Sequence, residues 1–301
     1  KVNEANHKWI GGIKMKSKVY FSKNITADEI VKMYEKLGMT LPGNVAVKVH
    51  SGEAGNQNFL GPDLYKEVIN KVNGTVVECN TAYAGKRNTT EEHWQTMKEH
   101  GWTENFKVDI MDADGEIELP IPNGAQIKVN YVGKNIEKYD SMLVLSHFKG
   151  HPMGGFGGAL KNISIGIASS HGKAYIHGAG DVEKLWTADG NAFKEAMADA
   201  DKSIMDYFKE NIAFINVMAN MSVDCDCCAV AEDPCMKDIG VLASLDPVAL
   251  DKACLDLVYA SKDPGRDHLI ERIESRNGTH TIECAKELGI GSTEYELINI
   301  D

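Results

Sequence analysis

The sequence contains 301 residues, of which 43% are hydrophobic and 25% charged, a composition typical of a folded globular protein. Its 32 basic and 44 acidic side chains give a net charge of −12 and form no basic run, so we expect neither nucleic acid nor a membrane surface as a partner. No apolar run approaches the roughly 20 residues that cross a bilayer. The 7 cysteines are unevenly spaced, unlike a secreted disulfide framework, and we therefore expect a cytoplasmic protein.

The first segment of the chain differs from the rest. Residues 1–14 contain neither an apolar stretch nor a signal-peptide cleavage site, and we expect them to form a poorly ordered N-terminal extension. Met15 opens the segment that leads into the first predicted strand. Neither repeats nor low-complexity linkers interrupt the remainder, so residues 15–301 are predicted to form a single α/β domain.

Strand and helix patterns alternate through residues 15–301. Apolar or alternating runs predict strands at 19–21, 44–49, 75–79, 116–121, 126–132, 141–146, 212–218, 238–244 and 294–300. Helical spacing and capping signals predict helices at 26–38, after Pro62, at 89–100, from about Ala159, at 192–210 and from Pro247. This alternation predicts an α/β fold: a doubly wound, largely parallel or mixed sheet with helices on both faces and a hairpin at 116–132.

Polar side chains follow four of the predicted strands directly. They are His50, Cys79 with Asn80, His147, and Asn220 before a cysteine-rich loop. Because ligands of open α/β sheets bind outside the carboxyl ends of the strands, we expect these residues to meet at one edge. The alternative is that they are polar only because loops are polar.

A glycine-rich histidine loop occupies residues 146–180. Its glycines allow close backbone approach to a ligand, and the helix that follows offers free N–H groups to an anion. The loop is neither a Rossmann fingerprint nor a P-loop, since Leu160 replaces the third required glycine and no Gly-Lys-Ser/Thr ending is present. We predict that it binds an anionic organic cofactor or a small anionic ligand. The predicted cofactor-binding residues are His50, His147, Gly154, Gly155, Gly157, Gly158 and Lys161.

The same loop carries four histidines, at positions 147, 151, 171 and 177. Imidazole binds zinc, iron and nickel, so these side chains could build a metal site, although any single one could be an ordinary buried histidine. Together with the glycines they favour His151, His177 and Lys161 as catalytic residues. His147 and His171 stay undecided as ligands.

A cysteine loop at 222–237 contains Cys225, Cys227, Cys228 and Cys235. Thiolates bind iron–sulfur clusters and zinc, so these residues are the predicted metal ligands. The spacing matches neither paired Cys-x-x-Cys zinc sites nor an even ferredoxin run, and three cysteines with a ligand from elsewhere would also fit. Reduced thiols or a labile disulfide are the alternatives.

Acidic residues interleave these thiols. Asp224, Asp226 and Asp233 would raise the thiol pKa values unless a cation is present, which favours a bound metal over a free nucleophile. Cys254 and Cys284 lie among apolar residues of predicted helices, so we expect them in the core.

Several motifs resemble one family over nearly the whole chain from about Val19. They are "VHSGEAGN", "SHFKGH…GFGGALKNISIG", "CDCC…EDPCMKDIGVLASLDPVALDKACLDLVY" and "LGIGSTEYELI". They resemble the uncharacterised Fe–S-centre proteins of bacteria and archaea, domain-of-unknown-function family number 362. The resemblance implies a protein with a metal or iron–sulfur centre. Many such relatives carry an inserted ferredoxin-like segment with two even cysteine runs, and this sequence has none.

A second, local resemblance covers about thirty residues and is to nickel-pincer lactate racemases. His151, Gly158, Lys161 and His177 lie near that family's pattern of a histidine, a Gly-Gly-x-Lys turn and a later histidine, with Ala159 in place of the second glycine. The resemblance implies that the lysine holds a cofactor covalently and that the histidines contact nickel or the substrate proton. The racemases' Asp-x-Thr-Arg-Pro turn is absent.

Three functions follow from these patterns. The first is a metal- or iron–sulfur-binding protein with a redox role and a redox partner. The second is a racemase- or isomerase-like enzyme that uses Lys161 and the histidines on a small anionic substrate. The third is a phosphate- or flavin-binding module without a metal.

Overall fold

The computed structural model describes residues 9–10, 13–14 and 16–301. The predicted extension at 1–14 lies mostly outside the described residues. The strands are β1 (Trp9–Ile10), β2 (Ile13–Lys14), β3 (Ser17–Ser22), β4 (Val45–Lys48), β5 (Thr75–Glu78), β6 (Val108–Ile110), β7 (Glu116–Pro120), β8 (Val129–Gly133), β9 (Ser141–His147), β10 (Lys149–His151), β11 (Gly155–Gly157), β12 (Ile212–Met218), β13 (Gly240–Ser244) and β14 (Tyr295–Asn299). The helices are α1 (Ala27–Lys36), α2 (Pro62–Lys71), α3 (Thr90–Glu99), α4 (Trp102–Asn105), α5 (Ala159–Ser164), α6 (Ser170–His177), α7 (Gly190–Phe208), α8 (Pro247–Ala260), α9 (Arg266–Ser275) and α10 (His280–Glu287), with 3₁₀ turns at Lys134–Lys138 and Val182–Lys184.

The main sheet confirms the predicted α/β fold. Its eight strands lie in the order β14-β3-β13-β12-β9-β4-β5-β6. All neighbours are parallel except those of β13, which is antiparallel to both β12 and β3. The sheet is therefore mixed, with a single strand reversed. The predicted hairpin forms outside it, as the antiparallel pair β7 and β8.

Helices cover both faces of the sheet because its strands are apolar on both sides. Leu143 and Ile215 point into a core that includes residues of α1 and α2. Val144 and Phe214, next to them in the sequence, point into a second core that includes residues of α5, α7 and α8. Alternation along a strand places successive side chains on opposite faces, so an unbroken apolar run is what a doubly covered sheet requires.

Capping residues fix several helix starts. The Thr26 side chain accepts a hydrogen bond from the Glu29 amide, and the Thr89 side chain accepts one from the Glu92 amide, which confirms the predicted capping at α1. Pro247 is the first residue of α8, directly after its cap Asp246. Within the described residues, no helix has both the length and the apolar character needed to cross a membrane.

Candidate functional site

The residues that follow the parallel strands line one pocket at the carboxyl edge of the sheet. His50 follows β4, Cys79 follows β5, and His147 ends β9. The glycine-rich loop and the cysteine loop close the pocket with Lys161 and Cys227. The strand-end argument therefore predicted the location of the pocket correctly. The Asn220 backbone amide donates a hydrogen bond to Asp238 Oδ1. Neither Asn220 nor Asn80 is among the residues that line the pocket.

The two loops contact each other through their backbones. The Gly150 amide donates a hydrogen bond to the Ser222 carbonyl oxygen at 2.8 Å. A Cβ atom at Gly150 would lie 2.4 Å from the Val223 carbonyl oxygen and 2.5 Å from its Cα. Only glycine allows the loops to approach this closely, and this approach brings the thiols next to Lys161.

The glycine-rich loop forms a short antiparallel hairpin, β10 with β11, before α5. Gly157 and Gly158 line the pocket. Gly154 and Gly155 are not among its lining residues, and a Cβ at Gly155 would instead lie 2.8 Å from the Cα of Gly278. The hairpin was not predicted, because its strands contain three residues each and are largely glycine.

The first two amides of α5 are not free, which corrects one prediction from the sequence. The Ala159 and Leu160 amides donate to the two carboxylate oxygens of Asp251, at 2.8 and 3.0 Å. A Cβ at Gly158 would lie 2.4 Å from Asp251 Oδ1. Gly158 therefore makes room for a protein carboxylate that caps the helix, and the anion at this position is Asp251 itself.

Cys225 is not among the residues that line the pocket and lies buried next to two that do, Lys161 and His50. Its side chain is fully buried, with Lys161 Nζ 3.6 Å and His50 Nε2 3.7 Å from Sγ. The ligand atoms of Cys225, Cys227 and His151 all lie within 4.8 Å of one another. Two predicted metal ligands and one predicted catalytic histidine thus form a group that could hold a metal ion.

The ionisation of Cys225 depends on the groups around its thiol. Burial opposes a charged thiolate, but the hydrogen bond with the Cys227 thiol and the positive charges of Lys161 and Lys149 outweigh burial and hold the pKa of Cys225 well below its usual value. Burial likewise disfavours the charged form of Lys161. The attraction to the charge on Cys225 is larger and raises the pKa of Lys161. The predicted rise of the thiol pKa values held only without a nearby cation, and at Cys225 the Cys227 hydrogen bond and the charges of Lys161 and Lys149 lower the pKa instead.

Asp226, which lies between two of the thiols in the sequence, pairs with the side chains of His147 and Lys149. Its carboxylate is buried, 2.7 Å from His147 Nδ1 and 3.0 Å from Lys149 Nζ. Burial disfavours its charge, yet His147 and Lys149 together lower the pKa of Asp226 well below its usual value. His147 Nε2 lies 2.6 Å from the Ala219 carbonyl oxygen. Both ring nitrogens of His147 face acceptors, so neither is free to bind a metal.

The remaining predicted ligands differ in their distance from the thiol pair, because the Cys228 thiol shares a hydrogen bond with the Cys227 thiol whereas Cys235 is turned away. Cys235 Sγ donates to the Met221 carbonyl oxygen at 3.2 Å, and the groups able to hold a metal among the described residues include neither Cys235 nor Cys228. His171 is half exposed and pairs with Glu116 at 2.9 Å, outside the pocket. The structure therefore places Cys225 and Cys227 in the group with His151, keeps Cys228 in contact with Cys227, and leaves Cys235 outside.

Two of the pocket histidines are held neutral by burial. Burial lowers the pKa of His177 to about 3, and Nδ1 of this residue lies 2.7 Å from the Lys173 carbonyl oxygen. Nδ1 therefore donates, and Nε2 keeps its lone pair for the pocket. Burial lowers the pKa of His50 to about 4.

His151 has the opposite arrangement. Its Nδ1 accepts hydrogen bonds from the Met153 and Gly154 amides, at 3.2 and 2.9 Å. A histidine that binds a metal normally donates its second N–H to an acceptor. His177 thus has the hydrogen-bond pattern of a ligating histidine but lies outside the group of donor atoms within 4.8 Å, whereas His151 belongs to that group and its ligation would compete with the two backbone hydrogen bonds.

Several charged pocket residues were not predicted from the sequence. Lys48 Nζ lies 2.7 Å from Glu78 Oε2 and also donates to the Asn162 side chain, while Arg87 pairs with Glu53. Burial lowers the pKa of Lys48. A lysine inside the apolar run "NVAVKV" was the available signal, because a buried lysine needs a partner. Arg87 lies in an irregular loop and gave no such signal.

The comparisons with known proteins agree with the motifs. A family model described as a domain of unknown function (DUF362) matches residues 45–256. The chain belongs to the DUF362 family. This confirms the resemblance seen in the sequence motifs, and the family description itself assigns no reaction.

Two solved structures are similar in fold. One is the lactate racemase apoprotein from Thermoanaerobacterium thermosaccharolyticum, with 19% identity and a TM-score of 0.44, covering 67% of this chain and 51% of the racemase. The other is a structural-genomics target from Thermotoga maritima, with 11% identity and a TM-score of 0.46, covering 89% of this chain and 60% of the target. The chain thus spans about half to three-fifths of these two structures. No curated protein matches the chain.

Proposed function

We propose that the pocket is a metal centre in which Cys225 and Cys227 bind one thiophilic ion and an imidazole completes the protein ligands. The supporting observation is the group of donor atoms of Cys225, Cys227 and His151 within 4.8 Å of one another. Soft thiolate ligands select iron, copper and zinc over the hard cations, and the imidazole is compatible with all three.

The charges in the pocket fit this ligand set. Lys161 and Lys149 offset the negative charge that two thiolates bring into a buried site. His177 also lines the pocket, with its Nδ1 hydrogen held by a carbonyl oxygen, but it is not in the group of donor atoms within 4.8 Å. We propose His151 as the third ligand, because its donor atom belongs to the group within 4.8 Å and no donor atom of His177 does.

A single ion fits better than a cluster held by four cysteines. Cys235 is turned to the Met221 carbonyl oxygen, so the loop does not present four converging thiols. We further propose that the centre carries out redox chemistry on a small anionic ligand bound by Lys161, with electrons exchanged with a separate partner.

Metal analysis of protein purified without oxygen tests this proposal. We expect a metal ion bound through thiolates, with a charge-transfer absorption band, and at least a tenfold loss of that metal in the variants Cys225→Ser and Cys227→Ser. The variant Cys235→Ser is the matched control and should keep its metal. Equal metal content in all four proteins would refute the thiol pair as ligands. Detection of stoichiometric acid-labile sulfide would show an iron–sulfur cluster in place of the proposed single ion. Detection of zinc as the only metal would refute the redox role.

A second function is favoured by one specific observation. The free Nε2 of His177 and the ammonium group of Lys161 line the same pocket, which gives a base beside a cation. We propose as the alternative that Lys161, His151 and His177 act on a small anionic substrate in an isomerase-like proton transfer, with Lys161 carrying a covalent organic cofactor.

Intact-mass spectrometry separates the two functions. Under the alternative, the native protein carries an added mass that is absent from the variant Lys161→Ala. An unmodified mass in the native protein would count against it. The third hypothesis, a phosphate- or flavin-binding module without a metal, loses one of its supports because Asp251 accepts from the amides of Ala159 and Leu160.

A further inference from the structure

We propose that a second metal ion binds outside the pocket, between α7 and α10, with Glu195, His280 and Cys284 as ligands. The ligand atoms of these three residues lie within 4.8 Å of one another. Glu195 belongs to α7, whereas His280 and Cys284 belong to α10. None of the three lines the pocket, so the proposal does not depend on the function proposed above.

The distances are close to those between ligands of one tetrahedral ion. His280 Nε2 lies 3.0 Å from Glu195 Oε1 and 3.5 Å from Cys284 Sγ. Zinc bonds of about 2.0 Å to oxygen and nitrogen and about 2.3 Å to sulfur give ligand separations of roughly 3.3 Å for N···O and 3.5 Å for N···S in a tetrahedron. His280 and Cys284 are four residues apart on one helix, so both side chains project from the same face.

The residues around the group hold the ligands in place. Glu283 Oε2 lies 3.7 Å from His280 Nδ1, where it can receive the ring hydrogen once Nε2 binds an ion. Gln126 Nε2 donates to the second carboxylate oxygen of Glu195 at 2.5 Å. A carboxylate behind the histidine and an amide behind the ligating carboxylate are the outer contacts that metal sites usually have.

Charge and accessibility also suit a cation. The charged groups acting most strongly on Cys284 are carboxylates, first Glu195, then Glu287 and Glu283. The side chains of His280 and Glu195 are 23% and 27% exposed, so an ion and one completing water can reach them. One sulfur, one nitrogen and one oxygen ligand select a borderline ion such as zinc over magnesium or calcium. Glu195 and His280 would form an ion pair without a metal. Such a pair would not account for the Cys284 thiol beside it, whereas a metal site uses all three side chains.

The ion would fasten α10 to a helix that supports the pocket. Phe193 lies on α7 two residues before Glu195, and its ring stacks on His177 with centroids 4.7 Å apart and planes at 16°. Holding α7 and α10 together at Glu195 therefore restrains the helix on which the His177 ring packs. We assign the ion a structural role as a clamp between these two helices.

Cobalt binding tests the clamp in the double variant Cys225→Ser/Cys227→Ser, which removes the thiols of the pocket. We expect one Co²⁺ per chain with a thiolate-to-cobalt absorption band. Adding Cys284→Ser should abolish the band, and adding Glu195→Gln or His280→Gln should raise the Kd for Co²⁺ at least tenfold. The exposed His268 provides the matched control, His268→Gln, which should leave Co²⁺ binding unchanged.

Two results would overturn the clamp. One is a double variant that binds no stoichiometric Co²⁺, and the other is a band that persists after Cys284→Ser. If the double variant does not fold, the comparison is made in otherwise native protein loaded with Zn²⁺. There, Cys284→Ser should lower the zinc content by one ion per chain with an unchanged circular dichroism spectrum, and an unchanged zinc content would refute the site. Loss of the pocket metal in Cys225→Ser alone concerns only the function proposed above.

Discussion

Lysines of the pocket differ in how many of their N–H groups are already bonded. Lys48 donates to the Val49 carbonyl oxygen and to the side chains of Glu78 and Asn162, which uses all three of its hydrogens. Among the residues that the structure describes, the Lys161 ammonium group donates a hydrogen bond only to the Cys225 sulfur. Lys48 therefore has a structural role, whereas Lys161 keeps two hydrogens for a ligand.

Replacing each lysine by methionine should distinguish these roles. Lys48→Met leaves the Glu78 carboxylate buried without its closest partner, and we expect a loss of about 3–5 kcal/mol in the free energy of unfolding. Lys161→Met removes a cation whose partner can become a neutral thiol, and we expect a loss of about 1 kcal/mol or less. Urea unfolding measures both. Equal losses would show that Lys161 is also structural.

His93 should make the stability depend on pH. Its side chain is buried on α3, and burial, followed by the charge of Arg87, lowers its pKa to about 3. The unfolded chain binds a proton near pH 6.5, whereas the folded chain does not until about pH 3. The contribution of the neutral His93 to the free energy of unfolding is therefore complete above pH 6.5 and is lost as the pH falls toward 3. Between pH 7 and pH 5 the loss is about 2 kcal/mol.

The variant His93→Gln tests this contribution by urea unfolding at both pH values. Its loss of stability from pH 7 to pH 5 should be smaller than that of the native protein by about 2 kcal/mol. The exposed His268 gives the control, because His268→Gln should show the native pH dependence. An unchanged pH dependence in His93→Gln would mean that His93 is protonated in the folded chain.

At the scale of elements, the site depends on how closely two loops approach. The hairpin β10–β11 and the cysteine loop meet where Gly150 lies against the backbone of Val223. His151 and Lys161 belong to one side of this contact, and Cys225 to the other. A change of a few tenths of an ångström here alters every distance between the thiols and their partners.

We predict that Gly150→Ala separates the loops. The added methyl group would lie 2.4 Å from a carbonyl oxygen of the main chain, which cannot rotate away as a side chain would. We expect a loss of about 2 kcal/mol in stability and at least a tenfold weaker hold on the pocket metal. In the control Gly190→Ala, the nearest atom is the flexible Lys194 Nζ at 3.4 Å, so metal affinity should not change. Native metal affinity in Gly150→Ala would refute the close contact.

Most strands of the main sheet and most long helices were predictable from the sequence, because burial imposes a local pattern on them. The run at 212–218 is apolar throughout since both of its faces are covered, and Thr26 marks the start of α1 by its side chain alone. The chemistry of the site was less predictable. Whether Cys225 is a thiolate depends on lysines 64 and 76 positions earlier, and only the folded arrangement shows that Gly158 faces Asp251.

At the scale of the whole molecule, ligands from different parts of the chain should couple metal binding to global stability. The thiols follow β12, whereas His151 ends β10. An unfolded chain does not hold these groups together, so the proposed ion would bind the folded state and stabilise it. At a free-metal concentration a thousand times the Kd, the gain is about 4 kcal/mol.

Removal of the metal should therefore lower stability by about that amount. Differential unfolding of native protein with and without a strong chelator measures the loss. The variant Cys225→Ser/Cys227→Ser should lose less on chelation, because only the clamp between α7 and α10 remains to be emptied. The same loss in both proteins would place the stabilising ion outside the pocket.

The single reversed strand has a consequence for how this fold can vary. β12 and β13 are adjacent and antiparallel, with Met218 opposite Gly240, so the cysteine loop leaves and re-enters the sheet at the same edge. Its two ends are anchored side by side whatever lies between them. Doubling the length of such a connection costs only about 0.6 kcal/mol of closure entropy. The loop can therefore be exchanged for a longer or shorter one without changing the path of any strand. A different binding site can be built at this position while the sheet stays the same.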